Sequence, residues 1–294
     1  MARLRDARRL VAGLALALTA LGTVTARGDG QHSVRRQQPL VIDHRSLADF
    51  DGLSALEIKA AAGLRFLLRS ASIGWNMDQG LSCLMNHFPD RPRRPNFCDR
   101  GIPRGQVVYD ARYDRRNWRI ELRGNPGWYG KVTDFIGRVN SLKPGERFDV
   151  VGFNFNYSDG VEGSAIVDQF FSTAPNAKPV TAGALEALEK RHPEAVFVWW
   201  SMALPRRSSP TMQAFNRRIR AYALERGKVL FDLADIESHR ADGSPCTDNQ
   251  GQGLEALCEE YTDERDSGHL NARGSQRAAM ALWILMTRLA GKVG

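Results

Sequence analysis

The chain has 294 residues, 43% hydrophobic and 25% charged, with a formal net charge of +8. Those proportions exclude a disordered or fibrous chain and suit one large globular domain or two small ones. The charge does not argue for nucleic acid, because the basic residues cluster in the first nine positions, in "RPRR" (91–94) and in "RYDRRNWR" (112–119) rather than on a face interleaved with aromatics. They read as solvated surface, with an anionic glycan as the weaker alternative.

The first element is a targeting signal. "MARLRDARR" is basic, "LVAGLALALTALGTV" is a 15-residue apolar run, and "TARG" supplies small residues near Ala26. That order reads as a secretory signal peptide over residues 1–26. The run is shorter than the ~20 residues of a spanning helix. An uncleaved anchor is the alternative and would be the chain's only route to a membrane. Either way the mature domain is exported, to the periplasm or beyond. Residues 27–50 are polar and basic and read as a linker, and 51–294 read as the domain.

Within the domain, "GLRFLLRS" (63–70) is a buried-strand candidate. "GWNMDQGLSCLMNHF" (74–88) places Met77, Leu81, Leu84, Met85 and Phe88 at helical spacing. Residues 89–117, rich in Pro, Arg, Asn and Gly, read as a loop or insertion. A helix follows over 129–142, ended by the turn signal "KPGE". "RFDVVGFNFNY" (147–157) is the strongest strand. Helices at 182–192 and 211–227 then alternate with strands at 195–204 and 228–235. A second insertion is expected near 238–262, and the last helix covers 271–291. Alternating strands and helices predict a parallel sheet with helices on both faces.

Four cysteines allow three connectivities. The short separations predict Cys83–Cys98 and Cys246–Cys258, in keeping with an oxidising compartment. Their spacings match no common zinc pattern.

In such a sheet, chemistry sits beyond the carboxyl ends of the strands. The residues there are Ser70 and Ser72, Asn154 and Asn156, Ser201, Asp232 and Asp235. "DSGHLNARG" near the C-terminus adds Asp266 and His269, an acid three residues ahead of an imidazole. A carboxylate folded back onto the ring would make His269 a general base. The same stretch is also a helix-capping segment, with Asn271 a good N-cap. Both serines could equally cap the first helix. Ser72, followed by Ile73 and Gly74, fits a strand-to-helix turn whose N–H groups could hold an oxyanion. Asp232 and Asp235 could form a glycosidase-like pair, although strand-end carboxylates commonly cap the next turn. Trp199 and Trp200 read as core, with one of them at the crevice as the alternative. Trp75, Trp118, Trp128 and Tyr129 lie near candidate site loops, where they could stack on sugar rings or pack in the core.

An early Ser, a middle Gly-Asn ("LRGNPGW"), an Asn after a strand and a late Asp-x-x-His before the terminal helix resemble the SGNH (GDSL-like) hydrolase family. The resemblance covers roughly 63–291 and is best in "DSGHLNARGSQRAAMALWILMTRLAG". It implies a three-layer α/β/α sandwich with a central parallel sheet, the flavodoxin-like SGNH hydrolase fold. It implies Ser72 as nucleophile, His269 as base and Asp266 as its orienting acid. The oxyanion donors would be the Ser72 N–H, the Gly124 N–H and the Asn156 side chain. The family's Gly-Asp-Ser start reads "SAS" here, and "SIGWN" is similar to a divergent branch, favouring Ser72 over Ser70. Its Gly-x-Asn-Asp reads "NFNY", leaving Asn154 and Asn156 as alternatives, with Asn156 at the better offset. The activity implied is ester hydrolysis without metal or organic cofactor, on an O-acetylated carbohydrate or another ester. The rivals are acyl transfer to a glycan by the same triad and a non-catalytic carbohydrate-binding or assembly module.

Overall fold

The computed structural model describes residues 38–85, Cys98 and 111–293. The expected signal peptide and most of the 89–117 insertion lie outside them. Among the described residues a six-stranded sheet forms from β1 (Leu40–Ile42), β2 (Phe66–Ser70), β3 (Trp118–Leu122), β4 (Val150–Phe153), β5 (Val196–Trp200) and β6 (Val229–Phe231). Its order is β1-β6-β5-β4-β2-β3, and every pairing is parallel.

The sandwich follows from the two-residue period of the strands. Phe66, Leu68, Val150, Val198, Trp200 and Phe231 face one core. They pack there against α1 (Ala55–Gly63), α2 (Ser72–Met85) and α8 (Ala272–Val293). Leu67, Val151, Phe197, Trp199 and Leu230 point the other way. They meet α3 (Gly127–Asn140), α4 (Ile166–Phe170), α5 (Ala182–Arg191) and α6 (Pro210–Glu225). A short helix, α7 (Leu233–Glu237), follows β6. The expected three-layer α/β/α architecture is therefore the observed one. Trp199 and Trp200 are core residues, 5% and 2% exposed, as their setting in β5 implied.

Two glycines set how α2 lies. A Cβ on Gly74 would stand 2.2 Å from the Ser70 Cβ, so the helix can press onto the strand it has just left. A Cβ on Gly80 would stand 1.9 Å from the Ser275 carbonyl oxygen, so α2 and α8 approach backbone to backbone.

Several expected boundaries change. The 27–50 linker is not all linker: Leu40–Ile42 add the edge strand β1 to β6, and His44–Gly52 form a 3₁₀ helix. Ile42 and Phe50 are buried, which explains why this polar stretch is ordered into the domain. β3 lies where no strand was expected. It is an edge strand in which only Trp118 is buried, Arg119 is exposed and the rest are half-buried, so charged Arg119 and Glu121 disguise it. Trp118 is buried against Trp283, 4.3 Å between rings, and does not line a site. The 238–262 segment is tied down by the Cys246–Cys258 disulfide and by bridges His239–Pro245 and Thr247–Glu255. The Cys83–Cys98 disulfide is also present. No described helix is long and apolar enough to cross a membrane.

Candidate active site

The chain leaves β2 toward β3 on one side, then returns past it to β4 on the other. The carboxyl ends of β2 and β4 therefore flank the point where strand order reverses, the usual place for a crevice in an open α/β sheet. Ser70 ends β2 and Ser72 follows it; Asn154 and Asn156 follow β4.

The serines differ sharply. Ser70 is buried, and its Oγ donates to Asn154 Oδ1. Ser72 is half-buried and opens α2, a helix of 14 residues. The first N–H groups of a helix have no partner inside it and carry its positive dipole end. A hydroxyl at this position thus stands beside donors suited to a developing anion.

The asparagines act in series. Asn154 is wholly buried, and its Nδ2 donates to Asn156 Oδ1 at 3.2 Å. Asn156 Nδ2 in turn donates to Ser72 Oγ at 3.3 Å. Asn156 is therefore the amide that reaches Ser72, while Asn154 orients it and occupies Ser70. The Asn156 N–H donates to Asp159 at 2.8 Å, and Asp159 pairs with Lys131 at 2.5 Å. Both ions of that pair are buried. Burial pushes the Asp159 carboxyl up, against the pull of Lys131.

Gly124 lies in the loop between β3 and α3. Asn125 Nδ2 donates to Ser158 Oγ at 2.7 Å, tying that loop to the turn after β4. Gly124, Asn125, Ser70, Arg69 and Lys131 line a cavity of about 440 Å³. Arg69, buried in β2, is held by Asp134 and by Glu121 at 2.6 Å, so its charge is already matched.

His269 sits in the loop before α8, and the carboxylate expected to meet it, Asp266, does not. The acid against its ring is Glu264. Glu264 Oε1 lies 2.8 Å from His269 Nδ1, and Oε2 accepts the His269 backbone N–H at 2.9 Å. Thr262 closes the loop: its Oγ1 donates to the His269 carbonyl at 2.7 Å and accepts the Glu264 N–H at 3.0 Å. Asp266 is exposed, and its carboxylate accepts from Asn249 at 3.1 Å. Burial works toward a neutral Glu264, but the hydrogen bonds from His269 outweigh it and hold the carboxyl below its ordinary value.

Two residues outside the sequence-based set join the halves of the site. Asn76, one turn along α2 from Ser72, accepts the Leu270 N–H at 3.2 Å, so the serine helix grips the histidine loop. Tyr157, next to Asn156, places its hydroxyl 3.4 Å from His269 and its ring edge-on to the imidazole. Ser267 Oγ donates to that hydroxyl at 2.9 Å. A Cβ on Gly268 would stand 2.5 Å from Tyr157 Cδ1, so glycine lets the loop lie against the ring. Consecutive residues 156 and 157 thus touch Ser72 and His269. There is no direct Ser72–His269 hydrogen bond; such contacts often tighten only when substrate binds. Nothing short of the tertiary contacts marks Asn76 or Tyr157 in the sequence.

Asp232 and Asp235 are not a catalytic pair. Asp232 is buried in a bidentate contact with Arg220, at 2.6 and 3.0 Å, and caps α7. Asp235 faces His44.

No family model and no curated protein matches the chain. Solved structures that resemble it include a protein assigned to the lipolytic G-D-S-L family from Desulfitobacterium hafniense, at 10% identity and TM-score 0.43, over 75% of this chain and 99% of that one. A second, assigned as an acylhydrolase, comes from Bacteroides fragilis, at 13% identity and TM-score 0.42, over 78% and 86%. A third is a GDSL-like lipase from Bacteroides thetaiotaomicron, at 15% identity and TM-score 0.41, over 84% and 96%.

Proposed function

We propose that this protein is an exported serine ester hydrolase of SGNH type. The observation that carries the reading is the Asn156 amide donating to Ser72 Oγ at 3.3 Å, at the start of a helix that also grips the loop bearing His269. In this reaction His269 takes the Ser72 proton as Oγ attacks the acyl carbon. The Ser72 N–H, the Gly124 N–H and Asn156 Nδ2 stabilise the oxyanion. The alcohol leaves with the proton from the imidazolium, and the Ser72 acyl ester remains. Water, deprotonated by His269, then cleaves that ester and releases the acid. Glu264 keeps the imidazole oriented and offsets its charge.

The substrate class proposed is an O-acetylated carbohydrate. Support comes from the signal peptide read in the sequence, from exposed Tyr129 shortly after Gly124 in the chain, and from the family resemblance.

The test uses a simple aryl acetate and a serine-directed fluorophosphonate. The purified protein should release acetate and take the label, and Ser72→Ala and His269→Ala should each abolish acetate release. Labelling that survives Ser72→Ala sinks the assignment of the nucleophile. Folded protein silent in both assays points to a binding module, and acetate delivered to an added glycan faster than to water points to transfer.

A further inference from the structure

A second constellation lies on the other margin of the sheet. β1 runs parallel to β6, with Ile42 opposite Phe231, so the segments leaving both strands emerge side by side. His44 stands just after β1. Asp235 stands in α7, just after β6, and His239 follows one turn later. One ligand atom from each of the three residues lies within 4.8 Å of the others.

The contacts are specific. Asp235 Oδ1 lies 2.5 Å from His44 Nδ1 and accepts the His44 backbone N–H at 2.8 Å. Asp235 Oδ2 lies 3.5 Å from His239 Nδ1, and that nitrogen is 2.9 Å from the Asp235 carbonyl. The two imidazoles stack with centroids 3.7 Å apart and planes 10° from parallel. Their side chains are 17% and 20% exposed, and that of Asp235 is 19% exposed, so the group is sheltered yet reachable.

We propose that His44, Asp235 and His239 form a divalent transition-metal site, with zinc as the ion that suits it best. Two imidazoles and one carboxylate favour zinc, nickel or cobalt over calcium or magnesium, which prefer oxygen donors. Zinc binds nitrogen and oxygen at about 2.0–2.2 Å. Donors on a tetrahedral ion then stand roughly 3.3–3.6 Å apart. The His239–Asp235 carboxylate spacing already meets that requirement, once His239 Nδ1 gives up its bond to the Asp235 carbonyl. The His44–Asp235 hydrogen bond must open by about 1 Å, and the stacked rings must tilt so that both lone pairs aim at the ion. Three protein ligands leave the fourth position to water. The backbone of this turn is pinned: Tyr261 donates its hydroxyl to the His239 carbonyl at 3.1 Å, and Arg277 Nε donates to the Ile236 carbonyl at 3.0 Å.

The site is not the centre of the esterase reaction. β5 and β4 stand between β6 and β2, the strand that leads to Ser72. At about 4.8 Å per strand, that is roughly 14 Å of sheet. The ion would instead clasp the short edge strand β1 to α7, locking the chain that enters the domain. The proposal stands on these residues alone, independently of the esterase reading.

The experiment is zinc titration of the metal-free full chain by calorimetry, with cobalt visible absorption as a second probe. Expected are one ion per chain, tetrahedral-type cobalt bands and a melting temperature raised by zinc and restored by chelator. His44→Ala and His239→Ala should each weaken zinc binding more than about 10-fold. His192→Ala, at a surface histidine elsewhere, should not. Absence of zinc and cobalt binding in wild type overturns the proposal. So does binding unchanged in His44→Ala/His239→Ala, or lost equally in His192→Ala. If the alanine variants do not fold, His44→Gln and His239→Gln answer the same question, since Gln keeps a polar contact to Asp235 but ligates zinc poorly. Aryl acetate hydrolysis should be the same with zinc and with chelator.

Discussion

The sharpest distinction at the level of single residues is between Glu264 and Asp266. Both are acids within five positions of His269, yet only Glu264 reaches Nδ1. Its longer side chain spans the loop that Thr262 closes. Glu264→Gln should lower kcat on an aryl acetate by up to about 10,000-fold, because an amide cannot hold the imidazole in its working tautomer or offset its charge. Asp266→Asn should leave kcat near wild type. Equal losses in both variants, measured side by side on folded protein, would contradict the placement of Glu264.

A second residue-scale effect concerns pH. Glu237 is fully buried; one oxygen accepts the Leu204 N–H at 2.7 Å while the other has no partner among the described residues. Burial raises its carboxyl well above the ordinary value, against the pull of the Leu204 hydrogen bond and with help from nearby Glu255. The unfolded chain ionises this group near about pH 4.3, whereas the folded chain resists doing so. Its contribution to stability is therefore full below that pH and declines as pH rises toward the folded value. Glu237→Gln should remove this dependence, so the variant gains on wild type in melting temperature between pH 4 and pH 7. A constant difference across that range would show that Glu237 is not the group responsible.

Among the elements, α2 has the most demanding position. It carries Ser72 at its start, grips the His269 loop through Asn76, and meets α8 at Gly80. Gly80→Ala puts a methyl group into the Ser275 backbone, which cannot rotate away. The helices must separate, at a cost of about 1–3 kcal/mol or more. Chemical denaturation should show that loss, and kcat should fall with it if the helix carries the serine out of register. The edge strands teach a related lesson. β4 and β5 are apolar throughout and read plainly as strands. β1 has three residues, and β3 alternates charge with apolar residues, so their strand character comes from the neighbours they pair with.

Across the whole molecule, the two cores lie on opposite faces of one sheet. The 238–262 segment lies outside the strand–helix alternation. It depends instead on the Cys246–Cys258 disulfide, which spans 12 residues. Cys246→Ser/Cys258→Ser should cost about 2–4 kcal/mol by denaturation. Loss of less than that would mean that the buried Leu257 and Tyr261 hold the segment by themselves. That segment also matters to the site indirectly, since Asn249 holds the Asp266 side of the histidine loop.

The sequence alone determined the alternation of strands and helices, and with it the parallel sheet and the edge at which chemistry would sit. Apolar periodicity is a local property, and it survives being read one residue at a time. Cysteine separation likewise sufficed for both disulfides, because short loops are the simplest to close. Only the tertiary structure decided that Asn156 rather than Asn154 reaches Ser72, that Ser70 is buried in a hydrogen bond, that Glu264 serves His269, and that His44 meets Asp235 and His239. Most of those contacts join segments far apart in the chain; Glu264 and His269 are near neighbours, and there the fold of the loop selects which acid meets the ring. They are set by how α2, α8 and the loops after β4 and β6 pack, and no spacing along the sequence encodes that packing.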